Sequence, residues 1–393
     1  MILYYFFAVV AVWIGIKSLR GGVRFARYVR AETSRPLPEF YPFVSVIAPT
    51  RGDEPGFLDN VQPLLTQRYT DYEVLFVFDD PQDPSFQLAQ RLKARTVISG
   101  PATDTGQKVH NLIVAVGQVD PRCEVIVFVD TDARPDESWL RKLVAPLADE
   151  KVGASTGYRW FVPERGGVAS RLRGVWNASI ASALRADTTK NVCWGGSTAI
   201  RRSTFEQLKV VDHWRGTVSD DFTITRVLKE AGLPIHFTPQ CLVPSVGDCG
   251  WDELLEFTTR QIKITRVYAP HLWLALLLGS ALFAIAFFGG IALLIARWWR
   301  GQSIVLLLSV LLVMFALGAA KSFIRWRAVN IPLAKYRAAL RRDLAAHILL
   351  WPVASLLYLY NAIVAAFSRR ITWRGITYDL PSPNQAVIIS RDS

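Results

Sequence analysis

The run Glu124-Val-Ile-Val-Phe-Val-Asp-Thr-Asp132 decides the fold. Its apolar core is too short for an isolated helix and has no polar face, so it reads as a strand covered on both sides. Asp130 and Asp132 follow at once, where such a strand leaves its sheet. Working outward, and counting this strand as 124–129, β-branched runs of the same kind lie at 44–48, 72–78 and 152–156. Stretches of helical period fall among them at 56–66, 84–93, 107–118 and 138–147. That alternation predicts an α/β architecture with a doubly wound sheet, whose ligands sit in a crevice at the carboxyl ends of the strands. Neither GxGxxG nor GxxxxGK[ST] occurs, so the dinucleotide and P-loop readings lose their main support.

On both sides of this region the chain turns apolar. It has 393 residues and a formal charge of +12, yet only 20% are charged and 51% are hydrophobic. These figures exclude disorder and disfavour a nucleic-acid binder, whose basic residues would form a reading surface instead of flanking apolar runs. The four cysteines (Cys123, Cys193, Cys241, Cys249) form no CxxC pair and read as reduced thiols. Residues 2–16 form an apolar run followed by Lys17, Arg20, Arg24, Arg27 and Arg30. A secretory leader has the opposite charge order, so this run predicts a retained anchor over 1–20 and a basic linker over 21–40. Further charge-free runs at 272–296, 303–320 and 348–367 are each close to the roughly 20 residues that cross a bilayer. Drawn at those limits, no span holds an Asp, Glu, Lys or Arg, which argues against an ion pathway.

The basic residues between 321 and 344 and those after the first anchor place both segments, and the domain at 41–250, on the cytoplasmic side. Residues 251–270 alternate apolar and charged positions, as a helix lying on the bilayer or packing on a domain would. The spans then occupy 271–368, and a basic tail covers 369–393, either crossing sides or lying along the membrane surface.

Acidic groups recur where strands end: Asp79-Asp80 with Asp83, then Asp130-Thr131-Asp132. Ser219-Asp220-Asp221 opens a helix at 222–231, with Ser219 as its N-cap. Any one pair has a plain explanation in turn or helix capping. Two pairs after buried strands suit a hard divalent cation bridging carboxylates to phosphates. A departing diphosphate needs such neutralisation, and an acceptor hydroxyl needs a base, for which Asp221 is the candidate.

The ordered set Val44-Ser-Val-Ile-Ala-Pro-Thr-Arg51, Phe76-Val-Phe-Asp-Asp80, Gly106-Gln-Lys-Val-His-Asn111, Val129-Asp-Thr-Asp132, Trp194-Gly-Gly-Ser197 and Ser219-Asp-Asp221 resembles the membrane glycosyltransferases of the family-2 superfamily. Within it, the chain is most similar to the ceramide glucosyltransferase-like group, family 21, and Thr372-Trp-Arg-Gly-Ile-Thr-Tyr378 resembles that group's tail. The resemblance implies a GT-A fold, a Mg²⁺ or Mn²⁺ cofactor, a UDP-sugar donor and a membrane-lipid acceptor. It implies a base and ribose pocket at Pro49, Thr50 and Arg51, with Asp80 on the uracil or ribose. It puts Lys108 and Asn111 near the nucleotide, and Asp130 and Asp132 on metal and donor sugar. Gly195 and Gly196 read as a turn or, with Ser197 in Trp194-Gly-Gly-Ser197, as a place where backbone approaches the donor sugar, and Asp221 would be the base beside Asp220. Lys108 reads equally as a solvated helix residue. Family members carry [QR]xx[RK]W after the base; here Arg260 and Lys263 keep the cations for the diphosphate, but Ile264 replaces the Trp. That departure weakens a processive polysaccharide synthase reading. Non-catalytic membrane binding or transport is the remaining alternative.

Overall fold

The computed structural model describes residues 1–53 and 56–391. The chain forms two compact units. A sheet unit comprises 31–162, 183–247 and 369–393, and a helical unit comprises 1–30, 163–182 and 248–368.

Seven strands make the main sheet: β1 (Val44–Pro49), β2 (Tyr72–Phe78), β3 (Arg95–Ile98), β4 (Val125–Val129), β5 (Ala154–Val162), β6 (Ser197–Arg201) and β7 (Ile235–Val246). Their order is β3-β2-β1-β4-β6-β5-β7. The first four run parallel, whereas β6 lies antiparallel to both β4 and β5. Alternate residues of β4 serve opposite faces, as the two-residue period requires. Val125, Val127 and Val129 join one apolar layer with Trp139 and Leu143, while Ile126 and Phe128 join another with Leu112 and Trp214. The doubly wound α/β expectation is therefore met, with one reversed strand added. Helices α2 (Phe57–Leu65), α3 (Pro84–Arg91), α4 (Gln107–Val116), α5 (Trp139–Val144), α7 (Arg202–Gln207), α8 (Val210–Trp214) and α9 (Asp220–Glu230) complete this part of the unit.

Three strands of this sheet, β3, β6 and β7, escaped the sequence reading, and one was cut short. The run expected to end at 156 continues as β5 to Val162, because Gly157, Tyr158 and Arg159 broke its apolar pattern. Gly157 is required there: a Cβ would stand 2.1 Å from the Cys241 carbonyl oxygen. β7 contains Pro239 and Pro244, which argue against a central strand, and it lies at the sheet edge where proline is tolerated.

The tail has structure that the sequence reading did not foresee. Residues 369–391 belong to the sheet unit as an antiparallel sheet of β8 (Arg370–Trp373), β9 (Ile376–Ser382) and β10 (Gln385–Arg391). Arg374 and Gly375 turn β8 into β9 with φ of 50° and 72°, the two positive values of a type I′ hairpin.

The helical unit holds α1 (Ile2–Thr33) up to residue 30, α6 (Val168–Ala181), α10 (Trp251–Tyr268), α11 (Pro270–Phe283), α12 (Gly289–Trp299), α13 (Val305–Val329), α14 (Arg337–Arg342), α15 (Leu344–Leu349) and α16 (Trp351–Phe367). Three helices are long and apolar enough to cross a membrane: Ile2–Thr33, Pro270–Trp299 and Val305–Val329. The second is continuous through a π-helical turn at Ala284–Phe288. α16, expected as a fourth span, is a shorter apolar helix of 17 residues. Among the described residues, two of the long helices, Pro270–Trp299 and Val305–Val329, and the shorter α16 lie between β7 and β8.

Two boundaries move further. α1 runs on to Thr33 with no break at residue 20, and α13 passes the expected limit at Ala320 to end at Val329. No glycine or proline stands between 320 and Pro332 to stop it. Lys321 and Arg325, expected in a loop, are therefore on the spanning helix, and Arg325 is only 2% exposed. The charge-free run at 303–320 is therefore only part of a longer helix. α10 is helical where the sequence reading put a helix, buries Thr258, and joins Leu254 and Ile262 in one apolar cluster with Leu357 and Ala362 of α16. Thr258 and Thr259 both donate to Asn361 Oδ1. All four cysteines are free thiols, as expected.

Candidate active site

At the carboxyl end of β4 the chain gathers a largely buried cluster of two cations and three carboxylates. Asp130 leaves the strand and accepts from Lys108 Nζ at 2.7 Å. Lys108 lies in the first turn of α4, and the same ammonium is 3.3 Å from Asp220 Oδ1, at the first turn of α9. On the other side, Arg159 of β5 donates to Asp130 Oδ2 at 3.0 Å and to Asp132 Oδ2 at 2.9 Å. Arg159 is also 5.0 Å from the Trp194 ring centroid.

Burial works against the Lys108 charge, but Asp130 and Asp220 together outweigh it and hold its pKa above the ordinary lysine value. Asp130 is likewise opposed by burial, yet Lys108 and Arg159 keep it below the usual carboxylate range. Asp220 goes the other way: burial, aided by its neighbours Asp221 and Asp130, pushes it up to about 6 against the pull of Lys108.

The loop before β6 makes room for these groups. A Cβ on Gly195 would stand 2.1 Å from Asp220 Oδ2, and one on Gly196 would stand 2.7 Å from Asp130 Oδ2 and 2.2 Å from the Trp194 ring. No side chain larger than hydrogen fits at either position without displacing the carboxylates. Ser197 is buried beneath, with its Oγ accepting from Trp139 Nε1 at 2.9 Å.

The adjacent aspartates of α9 divide their tasks. Asp221 accepts from the Phe222 N–H at 2.7 Å and from the Ser219 hydroxyl, so one of its oxygens caps the helix. Asp220 is 3% exposed, and its Oδ2 is buried without a hydrogen-bond donor among the described residues.

At the ends of β1 and β2, Arg51 pairs with Asp79, whose Oδ1 is buried and also lacks a donor. Asp80, expected on the uracil or ribose, is exposed and accepts from the Gln82 N–H at 2.8 Å. Thr50 is 3% exposed, with its N–H on the Val77 carbonyl at 2.8 Å, and Pro49 ends β1 beside it. Asn111 is buried and fully engaged: Ser99 Oγ and Gln107 Nε2 both donate to its Oδ1 at 2.8 Å, and its Nδ2 reaches the Val77 carbonyl at 3.4 Å. It ties α4 to the end of β2.

The tail supplies groups here that sequence reasoning did not name. Arg51 Nε donates to the Arg374 carbonyl at 2.9 Å, and Tyr378 Oη accepts from the Gln107 N–H at 3.1 Å. The Trp373 ring centroid is 6.0 Å from Lys108 Nζ, and Arg391 donates to Gln107 Oε1 at 3.2 Å. Arg159 was also missed, although a single charge inside the buried run Ser155–Val162 is a readable signal. Arg260 and Lys263 lie on α10 in the helical unit, where they meet Glu256 at 3.1 Å and Ser368 Oγ at 3.4 Å.

Asp130 and Asp132 converge closely enough to share one guanidinium, and no group of three or more His, Cys, Asp or Glu forms a metal site among the described residues. Two carboxylates are a sufficient protein share for Mg²⁺ or Mn²⁺, which takes its other ligands from phosphate and water. The donor set therefore fits a divalent cation.

An α/β sheet with carboxylates at its carboxyl end, joined in one chain to membrane-length helices, is the design of a membrane glycosyltransferase. The glycosyl transferase family 21 model matches residues 3–386, and the chain belongs to that family. Glycosyltransferase AglD of Haloferax volcanii is 30% identical over 36% of this chain and 24% of its own length. Ceramide glucosyltransferase 1 of Caenorhabditis elegans is 22% identical over 59% of this chain and 51% of its own. The chain thus spans about a quarter and about half of these two relatives. Among solved structures, mannosyltransferase PcManGT of Pyrobaculum calidifontis, in complex with GDP-Man and Mn²⁺, is 19% identical, with 92% of this chain and 99% of that one covered at a TM-score of 0.47. Glucosyl-3-phosphoglycerate synthase of Mycobacterium tuberculosis, in complex with Mn²⁺ and UDP-glucose, is 16% identical over 61% of this chain and 80% of that one, at 0.37.

Proposed function

We propose that this family 21 enzyme transfers a hexose with inversion from a UDP-sugar to the hydroxyl of a membrane lipid, ceramide or a lipid of similar headgroup. The observation that carries the reading is the half-buried Lys108–Asp130–Arg159–Asp132 cluster, packed against two glycines whose missing side chains leave room for its carboxylates. The donor's diphosphate needs fixed positive charge where its own charge grows as the glycosidic bond breaks. Lys108 and Arg159 provide two such charges, each held in place by the aspartates beside it. Asp130 and Asp132 would hold a divalent cation, which when bound supplies further positive charge to the diphosphate. Asp79, with a buried acceptor oxygen lacking a donor, suits a base or ribose donor group better than exposed Asp80.

Asp221 is the proposed base. One oxygen is engaged at the helix start, and the other is left to take the acceptor proton as the hydroxyl attacks the anomeric carbon. Asp220 acts as the positioning residue for Lys108. The unsatisfied Oδ2 of Asp220, with a pKa of about 6, supports a second reading in which Asp220 is the base. The basic segments flanking the spans favour a catalytic unit in the cytoplasm of a multi-pass membrane protein.

The test is full-length protein in lipid extract with a panel of labelled UDP-sugars, with and without chelator. A labelled glycolipid formed only with metal is the expected result; no product from any UDP-sugar and lipid would overturn the reading. Product longer than one sugar would instead mark a processive synthase.

A further inference from the structure

We infer that the helical unit carries a separate binding site for the phosphate headgroup of a membrane lipid. The inference goes beyond the proposed transfer reaction and does not rest on it. A cavity of about 240 Å³ lies among α1, α6, α11, α13 and α16, entirely within this unit. Its polar lining is dominated by hydrogen-bond donors. Arg325 is 2% exposed, and its Nε is buried without a hydrogen-bond partner. Its remaining contacts are long ones to hydroxyls, 3.5 Å to Ser179 Oγ and 3.4 Å to Ser322 Oγ. One turn earlier on α13, Lys321 donates to Ser18 Oγ at 2.8 Å. The Trp351 ring lines the same space, and its Nε1 is a second buried donor with no acceptor.

Neither Lys321 nor Arg325 forms an ion pair or hydrogen bond with a carboxylate among the described residues. A buried and a half-buried cation one turn apart without an anion are unfavourable, so an acceptor-rich anion is the group that would satisfy them. Arginine and lysine donors with an indole N–H match a phosphate, which accepts on several oxygens and receives arginine in two parallel bonds.

The rest of the lining and the depth point to a lipid as the bearer of that phosphate. Leu282, Phe283, Met314 and Leu317 make most of the wall apolar. Ile14 and Gly279 also line it and are exposed, so the cavity reaches the outer surface of the helices. The rise from Val305 to Arg325 is about 30 Å, the thickness of the hydrocarbon layer, which brings the cations to the level of a headgroup. An acyl chain would leave along the apolar side.

Photo-crosslinking tests this on full-length protein in phosphatidylcholine nanodiscs containing a photoactivatable phosphatidic acid. Label is expected on peptides from α13 and from residues 11–18 of α1. Arg325→Gln should lower labelling about tenfold and Lys321→Gln several-fold, as expected for losing charge-assisted hydrogen bonds. Should Arg325→Gln fail to fold, the half-buried Lys321 position carries the comparison. Equal labelling by a diacylglycerol with the same tails, or wild-type labelling in a folded variant, would overturn the site. Retention of label in the presence of inorganic phosphate is expected; its loss would assign the anion to the aqueous phase and overturn the lipid source.

Discussion

The two units bury charge in opposite ways. In the sheet unit, two cations and three carboxylates form one connected set, Lys108 and Arg159 with Asp130, Asp132 and Asp220. In the helical unit, Lys321 and Arg325 line a cavity with only serine hydroxyls as hydrogen-bond acceptors. The first arrangement is satisfied largely from within: each charge offsets the burial of its neighbour, and the geometry stands ready before a donor arrives. The second has its balancing charge missing, so its structure points outward to a ligand. Electrostatic self-sufficiency suits a reaction centre whose groups must not reorganise during the step, whereas imbalance suits recognition.

Breaking the connected set should have the largest effect. Asp130→Ala removes the carboxylate that Lys108 and Arg159 share, and half of the proposed cation site. Transfer activity should fall by at least about 10³-fold. Thermal unfolding should show a loss of about 3–5 kcal/mol, because charges stay buried after their partner has gone. Activity within tenfold of wild type would remove the cluster from the reaction.

Asp221→Asn should lower turnover by about 10²–10⁴-fold while UDP binding, read by calorimetry, is nearly unchanged. If Asp220→Asn shows that pattern and Asp221→Asn does not, the base is Asp220. Gly195→Ala sharpens the same point without removing a charge. Its methyl would meet Asp220 Oδ2, which must shift, and turnover should drop by about tenfold in a protein of near-normal melting temperature.

The smallest effect concerns the cationic unit. His347 on α15 is fully buried, and burial, followed by the Arg325 charge, pushes it down to about 3. The unfolded chain binds a proton on this ring near 6.5 and the folded chain does not. The stability from neutral His347 is therefore complete above 6.5 and is lost as pH falls toward 3, by about 1.4 kcal/mol per pH unit. His347→Leu should flatten the melting-temperature profile between those limits. A profile parallel to wild type would show that His347 is protonated in the folded protein.

Legibility differed between the two units for a physical reason. β1, β2 and β4 were readable because a strand buried on both faces must be apolar at every position, and their ends carry the acids directly in sequence. β5 was half legible and β7 was not, since glycine, arginine and proline interrupt their runs for reasons of close approach and edge position. The N-terminal anchor and the two long spans were readable from hydropathy, but their ends were not. α13 continues past its apolar stretch because the cavity inside the unit accommodates Lys321 and Arg325.

The sequence alone determined the alternation of strands and helices, the aspartates at strand ends and the apolar lengths that cross a bilayer. All of these depend on residues close together along the chain. Only the tertiary structure decided that Arg159 would bridge Asp130 and Asp132, and that Asp79 instead of Asp80 would meet Arg51. It also placed the tail hairpin beside Lys108 and left Arg325 buried without a carboxylate. Those outcomes depend on which groups from distant segments share a low-dielectric space, where each charge must find a partner, and spacing along a chain carries no information about that.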